Sequence, residues 1–244
     1  MRFGVAISSV CLALSAAAHA APEGGVDWVY GDGELPEKWS IDNESYATCD
    51  AGAMQSPIDL DYANARGEID VAGAYGMTTG TMKTGPGKVQ LDMPPGMGMI
   101  SGDRLFNLLQ FHLHTPSEHR MNGRRYPLTA HLVHATAAGE FAVLGLMFEE
   151  GETNPALSEL LRAIESGNTQ VSLDMGDLVP EELDVYRYMG SLTTPPCTEG
   201  VNWHVVSEVV EADSDQIAAF ENLLGQSARS MQPLNGRLVV APGE

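Results

Sequence analysis

Gln110-Phe111-His112-Leu113-His114 is the stretch from which the rest of this chain can be read. Apolar and polar residues alternate through it, the period of a β-strand, on which successive side chains project to opposite faces. His112 and His114 therefore stand side by side on one face. A second run, Thr129-Ala130-His131-Leu132-Val133-His134, alternates in the same way. Its two histidines are three apart and fall on opposite faces, so only one of them can join the first pair. Three neutral imidazoles with a fourth position open make a donor set suited to a catalytic zinc. Spacing alone leaves open whether His131 or His134 completes it. For His134, as for His204 further along, a satisfied core histidine is the simpler reading.

Composition narrows the setting. Residues 1–20 read as a removable secretory leader: Arg2 supplies the basic start, Val5 to Ala18 the apolar part and Ala18-His19-Ala20 the cleavage site. That apolar part is too short to span a membrane, and the valine before Cys11 makes a poor lipoprotein signal. The expected mature chain, residues 21–244, is then periplasmic or secreted. It keeps two cysteines, Cys49 and Cys197, which in an oxidising compartment are expected to form a disulfide. A loop this long makes such a bridge worth about 4 kcal/mol in the chain-entropy picture. The whole chain has 13 Lys+Arg against 33 Asp+Glu, a net charge of −20. Losing Arg2 leaves 12 against 33, or −21. Such a polyanion repels nucleic acid and anionic membranes, which excludes both as partners.

Periodicity sketches the elements. Strands are expected over 89–93, 105–114, 126–134, 141–148 and 201–206, the fourth almost wholly apolar and so central. Asn154-Pro155 opens a helix running through Ile164, and Asp213-Ser214-Asp215-Gln216 opens another ending near Gly225. Residues 22–62 lack periodicity but carry Trp28, Tyr30, Trp39 and Tyr46, as an irregular segment wrapped on a core would. No linker or repeat divides the chain. The pattern is a single β-dominated α/β domain with a few short helices.

Two families share parts of this pattern. His112-x-His114-x-x-x-Glu118 followed by Gly123 resembles the first half of the cupin metal motif, but His131 comes too soon to be the last cupin histidine. The fuller resemblance is to the α-class carbonic anhydrases, and it runs from about Trp28 to Val240. Its pieces appear in family order: Trp28-Val-Tyr-Gly31, Gln55-Ser-Pro-Ile58, Gln110 to His114, Ser117-Glu-His119, His131 to His134 and Ala142-Val-Leu-Gly145. Gly190-Ser-Leu-Thr-Thr-Pro-Pro196, Trp203 and Gln232-Pro-Leu234 complete it.

This resemblance implies a large, twisted, mostly antiparallel central β-sheet with short peripheral helices. It implies reversible hydration of CO2 to bicarbonate and a proton by zinc-bound hydroxide, with ester hydrolysis as a side activity. Zinc is assigned to His112, His114 and His131. Thr193 matches the threonine that accepts a hydrogen bond from that hydroxide, and its own proton goes to Glu118, a carboxylate that can only accept. Gln110, Thr194, Val133, Val143, Leu192, Val201 and Trp203 are assigned to the substrate cavity, although plain core explains the apolar members equally well. His119 resembles a buried structural histidine. Cis bonds are implied at Ser56-Pro57 and Pro195-Pro196, as are inhibition by sulfonamides and anions and a monomer or homodimer.

Two positions depart from the family. A glutamate usually stands two residues before the third ligand and orients it; here Thr129 does, a weaker acceptor, so looser zinc retention is expected. Many fast members carry a proton-shuttling histidine where this chain reads Gly85-Pro-Gly-Lys88, so proton transfer is expected to rely on buffer or on another group.

Overall fold

The computed structural model describes residues 28–33 and 35–243, so the expected leader lies outside the described residues. The strands, in chain order, are β1 (Ala65–Arg66), β2 (Val71–Ala74), β3 (Met77–Gly85), β4 (Lys88–Asp92), β5 (Gly98–Ser101) and β6 (Arg104–His114). They continue with β7 (Leu128–Ala135), β8 (Phe141–Glu150), β9 (Gln170–Asp174), β10 (Val185–Ser191), β11 (Glu199–Val206), β12 (Val210–Ala212) and β13 (Val239–Ala241). The helices are α1 (Trp39–Asp42), α2 (Ala47–Ala51), α3 (Pro155–Ser166) and α4 (Ser214–Leu224).

All the strands join one sheet in the order β1-β13-β10-β11-β8-β7-β6-β4-β3-β9, with β12 beside β8 and β2 attached through β5 to β6. Three pairings are parallel, β1–β13, β8–β11 and β8–β12, and the rest are antiparallel. The five strands expected from alternation are β4, β6, β7, β8 and β11, each within two residues of its expected ends. Both expected helices form as their caps dictate. Asn154 accepts from the Leu157 N–H ahead of α3, and Asp213 and Gln216 close a reciprocal capping box on α4.

Alternation along β6, β7 and β8 sorts side chains onto two faces. On the back, Leu108, Phe111, Leu132, Leu144 and Phe148 pack against Leu157 and Leu160 of α3 and Phe220 of α4. Each such side chain removed from water contributes roughly 1.5–3 kcal/mol, so this core anchors the histidine-bearing strands. On the front, Val133, Val143, Met147, Tyr188, Val201, Trp203 and Val205 form a second core. The irregular N-terminal segment ends in the short helices α1 and α2, and its aromatics Trp28, Tyr30, Trp39 and Tyr46 surround the Cys49–Cys197 disulfide. Both expected cis bonds are present, with a third at Thr115-Pro116.

Candidate metal centre

Register brings three histidines together. His112 on β6 stands directly opposite His131 on β7, and His114 follows two residues along on the same face. Ring centroids lie 4.9 Å apart for His112–His114, 4.8 Å for His114–His131 and 5.5 Å for His112–His131. One nitrogen from each ring falls within 4.8 Å of the others. His134 points to the back face, where its Nε2 pairs with the Tyr75 hydroxyl at 2.9 Å. His204 is likewise on the back, its Nε2 2.8 Å from Ser101 Oγ. His131, and not His134, therefore completes the group of three that could hold a metal.

The outer nitrogens show how the rings are held. His112 Nδ1 meets Gln110 Oε1 at 2.8 Å, and His114 Nδ1 meets the Ser227 carbonyl at 2.6 Å. Gln110, expected on the substrate side, thus braces a ligand. These bonds turn both Nε2 atoms toward the shared point, and His114 Nε2 is buried there with no protein partner. A buried nitrogen aimed at two other imidazoles and bonded to nothing is what a metal ligand requires. Burial first, then the neighbouring imidazoles, pushes His112 and His131 well below the ordinary histidine value. Both are neutral, the form that binds metal. The residues fit zinc.

Glu118 lies beneath the cluster, fully buried, with Oε1 accepting from the Arg229 backbone N–H at 3.0 Å. Its Oε2 sits 3.8 Å from His114 Nε2 and 3.6 Å from His131 Nδ1. That oxygen has no hydrogen-bond partner, so the expected bond from the Thr193 hydroxyl is not formed in this structure. Thr193 is buried on the loop after β10. The loop is pinned by the Cys49–Cys197 bridge and by Gln55 Nε2 donating to the Cys197 carbonyl. Ser56 and Ser191 exchange backbone-to-hydroxyl bonds at 2.9 and 3.1 Å just before it. Val133, Val143, Val201 and Trp203 form one buried cluster against which Leu192 packs, and Thr194 is half-buried beside them in sequence. A separate groove of about 730 Å³, lined by Ser101, Arg187 and Asn202 among others, includes none of the three ligands.

Residues 34–242 match the family model described as eukaryotic-type carbonic anhydrase. The chain belongs to the α-class carbonic anhydrase family. It is 33% identical over 238 residues to a carbonic anhydrase of Pectobacterium carotovorum, covering 95% of this chain and 98% of that one. Among solved structures, the α-carbonic anhydrase of Photobacterium profundum is 38% identical with a TM-score of 0.75, covering 83% of this chain and 94% of that one. That of Thermovibrio ammonificans, in complex with the inhibitor sulfanilamide, is 36% identical with a TM-score of 0.80, covering 89% and 100%.

Against this family background two features stand out. The Thr129 hydroxyl donates to the Leu146 carbonyl at 2.7 Å, and no bond joins its oxygen to His131, whose Nε2 is buried without a hydrogen-bond partner. Sequence reasoning also missed Ser227 and Arg229. The Arg229 guanidinium is buried and donates to the carbonyls of Cys49 and Ser56 and to Gln55 Oε1, tying the N-terminal segment under the site. The contacts of Ser227 and Arg229 to His114 and Glu118 use backbone groups, which any residue could supply, so no pattern signals them.

Proposed function

We propose that this carbonic anhydrase hydrates CO2 reversibly at a zinc held by His112, His114 and His131. The observation that carries the reading is the convergence of three imidazoles beside a buried carboxylate and an apolar cluster. When bound, zinc supplies the Lewis acidity that makes hydroxide available near neutral pH, as is known for carbonic anhydrases as a class.

The chain's own residues do the rest. Gln110 and the Ser227 carbonyl hold two ligands in the tautomer that presents Nε2. Glu118 Oε2 is the acceptor reserved for the Thr193 hydroxyl. An ionised carboxylate accepts only, so Thr193 must donate to it, and the threonine oxygen is left to accept from the nucleophile and aim its lone pair. CO2 carries no net charge to grip, and Val133, Val143, Leu192, Val201 and Trp203 hold it by excluding water, with Thr194 at the polar side. The product proton leaves without a histidine at the usual place. Gly87 there has a φ of 66°, a backbone conformation that strains any side chain, so a histidine cannot simply be inserted. Buffer then carries the proton away. Residues 21–244 act outside the cytoplasm, a reading supported by the Ala-x-Ala leader pattern and the disulfide. Sulfonamides and small anions are the inhibitors this reading expects, as the sulfanilamide complex of the Thermovibrio ammonificans relative suggests.

Stopped-flow CO2 hydration on the purified mature protein, with zinc measured on the same sample, tests this. Acetazolamide-sensitive turnover at one zinc per chain is expected. A fully zinc-loaded protein with no hydration would overturn the catalytic reading.

A further inference from the structure

The three ligands are not held alike. Swinging His112 off the metal breaks its bond to Gln110 Oε1, and swinging His114 breaks its bond to the Ser227 carbonyl. His131 faces no such loss. Its Nδ1 and the metal-side Nε2 of His114 approach the same Glu118 oxygen, which marks Nδ1 as the nitrogen turned toward the metal. Its Nε2 then points outward, buried and without a partner. The residue at the position to receive it, Thr129, donates its hydroxyl proton to the Leu146 carbonyl, and its oxygen makes no bond to His131 Nε2. What lies against the ring is aromatic: Trp203 at 4.9 Å and 77°, and His119 at 6.1 Å. Directly opposite in register is Gly145, where the nearest atoms to an added Cβ would be 3.6 Å away. The flank of His131 is therefore not crowded by a side chain from β8.

We infer that His131 is the unbraced ligand of this centre, and that metal release begins there. An outer hydrogen bond to a ligating imidazole fixes its tautomer and orientation and raises its basicity. Losing such a partner typically weakens metal holding by about 10- to 100-fold. Thr129 is thus a positioning residue by default: what matters is the acceptor it fails to supply. The inference rests on the zinc reading above and goes beyond it by naming which bond opens first.

The test is zinc loss from the loaded enzyme into excess chelator, followed by absorbance of the chelate. Thr129→Glu places a carboxylate two residues along the same strand face and is expected to slow zinc loss by about 10- to 100-fold. Thr129→Val keeps the shape, removes a hydroxyl that does not touch His131, and is expected to change the rate by less than about twofold. Thr129→Gln offers a neutral acceptor and gives an intermediate slowing, which serves if the buried glutamate prevents folding. A Thr129→Val enzyme that loses zinc about tenfold faster would show that the hydroxyl does brace the ring, overturning the inference. Folded Glu and Gln variants that load one zinc and lose it at the wild-type rate would overturn it too. Wild type that binds no zinc would instead overturn the metal assignment beneath it.

Discussion

His131 and His134 stand three residues apart on one strand, both buried, and they make opposite uses of an imidazole. His131 faces the front core, where the neighbouring rings are also histidines and His114 keeps a bonding nitrogen free of protein. His134 faces the back core, and its Nε2 is taken by the Tyr75 hydroxyl, just past β2. His204 repeats the back-face pattern with Ser101 at the end of β5. On the back, then, hydroxyls from the β2–β5 ribbon each take one nitrogen of a histidine and fasten that ribbon to the sheet. On the front, His112 and His114 are held from behind, His131 is not, and the three rings are left open toward one another. Neither burial nor an unpaired nitrogen separates the two kinds of histidine in this molecule; the convergence of three rings on one point does.

The comparison breaks most visibly by deleting one ring from each face. His131→Ala is expected to lose stoichiometric zinc and on the order of a thousandfold or more in CO2 hydration, because two imidazoles no longer define the site. His134→Leu should keep one zinc per chain and near-wild-type turnover while lowering the melting temperature. Equal loss of zinc in the two variants would mean that the faces are not functionally distinct. A smaller effect is expected within the front face. Thr193→Ala should retain zinc but lower kcat by about 10²–10³, the cost of removing one preorganised group at the reacting centre. If kcat is unchanged at full zinc loading, the Thr193–Glu118 relay assigned to the site is wrong.

The two faces also differ in how far they could be read beforehand. Period-two alternation in Gln110 to His114 and in Thr129 to His134 is a local property, so strand, face and the His112–His114 pairing were all legible. The choice of His131 over His134 was not, because it depends on the β6–β7 register, which sets His131 opposite His112 and His134 opposite Leu108 on the other face, and alternation within one strand does not fix how it pairs with the next. The family resemblance supplied that choice. β3 escaped detection for another reason: its Thr and Gly residues give a mostly exposed strand with little apolar periodicity. Thr129 shows the limit most clearly. Its position announced a missing carboxylate, yet only the fold reveals that its hydroxyl donates to β8 and that no bond reaches His131, because side-chain orientation within a strand is set by its neighbours.

The smallest effect lies in how the back face responds to acid. Burial, the leading cause, lowers His134 to about 4, against an upward pull from the backbone groups of Leu132 and Ala142. Burial likewise lowers His204 to about 3, with the Arg187 charge adding to it. An unfolded histidine titrates near 6.5. Below that value the unfolded chain takes up a proton that the folded chain refuses, so folding stability falls as pH drops. For His134 the loss begins near pH 6.5 and is complete by about pH 4. It follows about 1.4 kcal/mol per pH unit at most, or about 2 kcal/mol between pH 6.5 and 5. Above pH 6.5 both states are neutral and the term vanishes. Many carboxylates also titrate toward the acid end, so the informative quantity is a difference. Urea denaturation of wild type and His134→Leu at pH 7 and pH 5 should show the variant losing about 2 kcal/mol less than wild type over that interval, even though it is less stable at pH 7. Parallel pH dependences would mean that His134 is protonated in the folded protein, and that its bond to Tyr75 is not the neutral pairing that distinguishes the back face from the front.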